Sequence, residues 1–177
     1  MGPHDFPMPD DLDETAGAEA ALRRGLAEAR DGNPNDAVRY LRVGLTLVRE
    51  RPDRVAEPDR VAHDLLVALS ELAYPADPAL ADRLLGEAAR AWPASPRPLV
   101  VLARRAGDPE AVRRLFTAAL ARVEPVRLPR FLDEEREAAI EVREGNVILE
   151  VLLRHGLSAP LHDTAMSAWS ARHRPPA

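Results

Sequence analysis

The sequence predicts an all-α fold of stacked antiparallel helical hairpins, with about seven to nine helices in its 177 residues. Three observations carry that expectation. The chain is rich in Ala and Leu and poor in Ile, Thr, Tyr and Phe, and no stretch alternates apolar with polar residues as a half-buried strand would. A short punctuation recurs as Gly32-Asn33-Pro34, Ala76-Asp77-Pro78 and Gly107-Asp108-Pro109, with a looser Gly156-Leu157-Ser158-Ala159-Pro160 near the end. The apolar residues on either side of each repeat fall at helical spacing.

The physics of the punctuation is the same each time. A small residue lets one helix end and the chain reverse. Asn or Asp then caps the next helix by accepting an orphan backbone N–H. Proline follows at the first helical position, where its missing donor costs nothing. Each turn is thus expected to join two antiparallel helices. In the first hairpin Leu22, Gly25, Leu26 and Ala29 precede the turn, and Ala37, Leu41, Gly44, Leu45 and Val48 follow it. In the second, Val61, Leu65, Ala68, Leu69 and Leu72 lead to Ala81, Leu84, Leu85, Ala88 and Trp92. In the third, Leu99, Leu102 and Ala103 lead to Val112, Leu115, Phe116, Ala119 and Leu120. In the fourth, Ile148, Leu149 and Leu152 lead to Leu161, Ala165, Ala168 and Trp169.

Two proline-bearing segments interrupt the hairpins. Pro52 to Ala56 is repeated as Pro58 to Ala62, and two prolines so close forbid one continuous helix, so this stretch is read as a linker. Pro125 and Pro129 are read as an extended bridge, followed by an acidic helix beginning near Asp133. Residues 1–13 form an acidic tail and 174–177 a second tail, both expected to be disordered, which leaves 14–173 as a single helical domain.

Helical hairpins with small residues at regular places resemble tetratricopeptide repeats, whose 34-residue unit runs large apolar, Leu-Gly, aromatic, turn, then Ala, aromatic, Ala and Pro. The second hairpin carries the resemblance best, through Leu65, Ala68, Leu69 and Leu72 and then Ala81, Leu85, Ala88 and Pro93. Gly25, Gly32, Ala37, Gly44 and Leu45 match in the first hairpin, Gly107, Phe116, Ala119 and Leu120 in the third, and Gly156 and Ala168 in the fourth. The match is degenerate: the turns are 44, 31 and 49 residues apart, and most marker aromatics are Leu or Ala. The resemblance implies a right-handed solenoid whose concave groove is lined by the first helix of each hairpin. That register places His63 and Ser70, then Arg97, Val101 and Arg104, then Arg143, Asn146 and Glu150 on the groove. The function implied is a scaffold or adaptor that presents this groove to a partner protein or peptide.

Composition narrows the alternatives. There is no cysteine, so disulfide, thiolate and cysteine–metal chemistry are excluded. No run of about 18 apolar residues occurs, the N-terminus does not read as a secretory signal, and the expected compartment is the cytoplasm. A net charge of −5 argues against general nucleic-acid binding. His4, His63, His155, His162 and His173 form no metal-ligand spacing, and Ser158, His162 and Asp163 make no triad by proximity alone. The nine glycines are scattered and build no phosphate loop. The expectation is therefore a protein that is not an enzyme and needs no cofactor or metal. The second functional reading is a regulatory subunit or small-molecule sensor, with a pocket between hairpins and convergent polar groups such as His63, Ser70 and Tyr74.

Charge is arranged in blocks. Residues 97–130 hold eight Arg against three acids, whereas 131–150 hold seven acids against two Arg. The blocks either neutralise one another between neighbouring helices or leave an arginine surface for an acidic partner. Arg97 and Arg104, two helical turns apart, are the leading candidates for gripping a partner's carboxylate. Trp92 and Trp169 end apolar stripes and are read mainly as core or terminal packing. If the last helix exposes Met166 and Trp169, it offers a homo-oligomer contact.

Overall fold

The computed structural model describes residues 17–175. Among them are nine α-helices, two single-turn 3₁₀ segments and no strand. α1 (Ala18–Arg30) packs on α2 (Pro34–Glu50), α3 (Pro58–Ala73) on α4 (Pro78–Ala91), and α5 (Arg97–Arg105) on α6 (Pro109–Leu120). α7 (Leu128–Glu141), α8 (Gly145–Arg154) and α9 (Ala159–Arg172) follow and pack on one another. The contacts divide the chain into Met1–Trp92, which holds α1 to α4, and Pro93–Ala177, which holds α5 to α9. The stretch 14–173, read above as one domain, is thus shared between two compact units. The tail expected at 1–13, and the last two residues of the one expected at 174–177, lie outside the described residues.

The punctuation works as its chemistry suggests, with one variation. Asp77 Oδ1 accepts the backbone N–H of Leu80 at 2.9 Å, and Asp108 Oδ2 accepts that of Ala111 at 2.9 Å. Each stands immediately before a proline that opens its helix. Asn33 also precedes α2, but its side chain makes no cap bond. Its Nδ2 instead donates to Glu28 Oε2 at 2.8 Å. The α1 turn is closed by backbone: Gly32 has φ +82°, and Asn33 N–H reaches the Glu28 carbonyl at 2.9 Å. Gly156, at φ +117°, ends α8 in the same way, with Leu157 N–H on the Leu152 carbonyl at 3.0 Å. Because Asp108 serves two N–H groups, Asp108→Ala is expected to lower the stability of the second unit by about 1 kcal/mol. Urea denaturation with an unchanged m-value reads this, and no shift of the midpoint would show that the cap is idle.

The repeated pentapeptide meets two fates. Pro52 begins one turn of 3₁₀ helix (Pro52–Arg54), whereas Pro58 begins α3. The first copy runs into Glu57-Pro58, which disfavours helix; the second runs into the apolar periodicity of α3. The later bridge is corrected likewise. Pro125 starts a 3₁₀ turn and Pro129 sits in the first turn of α7, so the acidic helix begins at Leu128 and not near Asp133. Proline is tolerated in a first turn and so does not force an extended bridge.

Each unit is organised around one enveloped helix. In the first, residues 65–70 of α3 are all buried, and α1, α2 and α4 pack on that helix. In the second, Val147, Ile148, Leu149, Val151 and Leu152 of α8 are buried, with α6, α7 and α9 around them. A helix that is apolar around its circumference belongs in the interior. α1 is turned slightly from the stripe read in the sequence. Its buried line is Ala18, Ala21, Gly25 and Glu28, because small side chains let the α2 backbone come close while the leucines flank the contact.

Candidate binding cleft

α2 and α4 both rest on α3, and a cleft of about 250 Å³ opens among the three. Each helix supplies a pair four residues apart: Val38 and Arg42 from α2, Leu69 and Ala73 from α3, Leu80 and Leu84 from α4. Such pairs lie one above the other on a single helix face, so three helical ridges make a continuous wall. Ala76 and the capping Asp77 complete the lining at the α3–α4 turn. Arg49 Nη2 lies 3.3 Å from Glu87 Oε2 and ties α2 to α4 beyond the cleft. The walls are aliphatic, and the lining carries charge only at Arg42 and Asp77.

The residues assigned from the sequence are placed differently. His63 is 2% exposed and Ser70 is wholly buried, so neither presents a surface to a partner. The cause is that α1, α2 and α4 all pack on α3 and bury its middle turns. Ser70 Oγ donates to the Val67 carbonyl at 2.7 Å. His63 Nδ1 lies 2.8 Å from Asp64 Oδ1, its ring meets Trp92 edge-on at 5.3 Å, and its buried Nε2 has no hydrogen-bond partner. The Arg60 guanidinium covers the same indole at 5.7 Å. Tyr74, the third polar group of the sensor reading, is exposed at the end of α3, about 16 Å along the axis from His63. None of the three lines the cleft.

The other candidates lie in the second unit. Arg97 is exposed and Val101 half-buried on α5. Arg104 Nη2 donates to Glu135 Oε2 at 2.6 Å, linking α5 to α7. Burial holds the Glu135 carboxyl above its ordinary value, and the charge and hydrogen bond of Arg104 oppose that rise. Arg104 is therefore engaged by its own chain. Arg143, which follows α7, lies 3.5 Å from Glu144 and is largely exposed. Asn146 is half-buried with an unpartnered Oδ1, and Glu150 lies 3.8 Å from Arg113 of α6. The pairs Arg104–Glu135 and Arg113–Glu150 join the basic block to the acidic one, which is the neutralising alternative weighed above. The helix inserted before α8 intercepts the arginine that the repeat register had assigned to a groove.

Both tryptophans pack inward. Trp169 Nε1 donates to the Val142 carbonyl at 3.0 Å, and its ring stacks on His173 at 5.1 Å. Met166 and Trp169 lie against the core of the second unit, so the pair that suggested a homo-oligomer contact is turned away from that role. Among the described residues, no group of three or more His, Asp or Glu side chains is placed to hold a metal ion. Nor is any described helix long and apolar enough to cross a membrane.

The cleft was missed in the sequence because Val38 and Leu80 each fall one position off the stripe assigned to their helix. That broadening of the apolar face on both α2 and α4 is the signal that would have found it. No protein-family model, curated protein or solved structure matches this chain.

Proposed function

We propose that this protein is an interaction module of the scaffold or adaptor kind, whose first unit takes one large side chain of a partner protein into the cleft between α2 and α4. The observation that supports the reading is the cleft itself: three helical ridges, aliphatic walls and charge only at the edge. Size separates this from the sensor alternative. Sites that enclose whole small molecules measure roughly 300–1,000 Å³, whereas an apolar cavity of about 150 Å³ already accepts a benzene ring. At about 250 Å³ the cleft suits a single aromatic or branched aliphatic anchor better than a whole drug-sized ligand. Buried aromatic anchors are prominent among the few residues that carry most of the energy in protein interfaces. No catalytic step is assigned to any side chain, and the partner is sought in the cytoplasm.

Site-specific photo-crosslinking in the native host tests the proposal. A photoreactive phenylalanine analogue replaces Leu84 in one variant and the exposed Ala94 in another. A discrete protein adduct is expected at the cleft position and not at the control. An adduct of small-molecule mass would favour the sensor reading, and no adduct at either position would contradict both.

A further inference from the structure

We infer that the partner whose anchor enters the α2–α4 cleft is a second copy of this chain, which inserts Val126. The inference rests on the binding role proposed above and names the occupant. Among the described residues Val126 is 85% exposed, whereas Tyr74, Leu153 and Leu161, the other exposed large apolar side chains, reach only 38–40%. Val126 therefore touches almost nothing of its own chain. Its side chain is branched and aliphatic, like the walls of the cleft. It is smaller than the benzene ring that an apolar cavity of about 150 Å³ accepts, so a cleft of about 250 Å³ admits it. The knob is held in shape before it binds. Pro125 opens the 3₁₀ turn Pro125–Arg127 and fixes its own φ, and the Arg127 N–H closes the turn on the Glu124 carbonyl at 2.9 Å. Pre-ordering of this kind lowers the entropy lost on association.

Charge agrees with the pairing. Arg127, next to the knob, is exposed and has no ion pair among the described residues. Asp77, in the lining, is exposed and commits only Oδ1 to the Leu80 N–H, which leaves Oδ2 for the Arg127 guanidinium of the other copy. Arg42 already has a partner within its own chain and takes no part. Knob and cleft are different patches, so the contact is heterologous: each copy gives a knob and offers a cleft, and assembly runs head to tail. One surface valine seated in an apolar pocket of the next molecule is enough to drive assembly of this type. The contact area is small, so association is weak and reversible.

Sedimentation velocity of the full chain between about 10 μM and about 1 mM tests the inference. The sedimentation coefficient is expected to rise with concentration. Val126→Asp spoils the knob and Ala76→Phe fills the cleft; both sites are exposed, and each variant alone is expected to stay monomeric. Mixed in equal amounts, the two are expected to form dimers, because one keeps an intact cleft and the other an intact knob. Asp77→Asn keeps the helix cap without the charge and is expected to weaken association about threefold. The inference is overturned if the natural chain stays monomeric throughout, if Val126→Asp associates as the natural chain does, or if the mixture yields no dimer. The cleft reading is judged separately by the mass of the adduct formed at Leu84. Twice the chain mass supports both, a different protein preserves the cleft reading alone, and no adduct removes both.

Discussion

Gly145→Ala is expected to destabilise the second unit by about 3 kcal/mol. An alanine Cβ at this position would stand 1.7 Å from the Ala139 carbonyl oxygen and 3.1 Å from Trp169 Cδ1. The carbonyl belongs to the last turn of α7 and has no rotamer through which to escape. The turn after it is held twice. Gly145 N–H donates to the Val142 carbonyl at 3.0 Å, and the Trp169 indole N–H donates to that same carbonyl at 3.0 Å. Relief would therefore move α8 away from α7 and disturb the core around Ala139, Ile148 and Leu149. Chemical denaturation followed by circular dichroism measures the loss. A cost below about 1 kcal/mol would show that the α7–α8 turn relaxes freely and is not as close as described.

The second large effect concerns the ion pair between α5 and α7. Arg104→Ala is expected to cost about 3 kcal/mol near neutral pH, the lower end for stranding one member of a buried pair. The lower end applies because the Arg104 side chain is 33% exposed and that of Glu135 is 10% exposed, so water softens the loss on one side only. The pH dependence has a definite sign. Glu135 is held above its ordinary value of 4.5, with burial as the main cause. An acid raised in the folded state contributes stability that is full below its unfolded value and is lost as pH rises through the folded one. In Arg104→Ala the opposing charge is gone, so the carboxyl is expected to protonate more readily in the folded protein. The penalty should then shrink between neutral pH and about pH 5. In Arg104→Ala combined with Glu135→Gln the shrinkage should vanish. Urea titrations at the two pH values decide the matter, and a penalty independent of pH would show that Glu135 is not the stranded group.

Local chemistry made much of this fold legible. Asp77 and Asp108 carry their function in their own side chains and in the proline that follows, so their helix starts can be read without knowing what packs nearby. Gly156 likewise announces its turn. Asn33 is only half legible: Pro34 marks the start of α2, but the amide turned to Glu28 because that carboxylate lies within reach across the turn. The start of α7 was misplaced because one rule admits proline to a first turn and excludes it from a helix interior, and Leu128 and Phe131 decide between them by packing on a core that is distant in sequence.

The candidate site was far less legible. His63 and Ser70 look like surface residues when α3 is given one polar face. The unbroken apolar run from Leu65 to Leu69 argues instead for turns buried on every side, which a single stripe does not capture. Arg104 looked available because the position of α7, and so of Glu135, depends on tertiary packing. The cleft depends on the separation of α2 and α4 above α3, a distance that no spacing within either helix records.

Methyl NMR of the full chain tests most directly whether the cleft is where a partner is held. A synthetic peptide with a central Phe is titrated while the methyl signals of Val38, Leu69, Leu80 and Leu84 are followed. These four are expected to shift together and to saturate at one concentration, and to stay still when the Phe of the peptide is replaced by Ala. Saturable shifts at Leu153 and Leu161 of the second unit, with the cleft methyls unmoved, would contradict the assignment of the binding site.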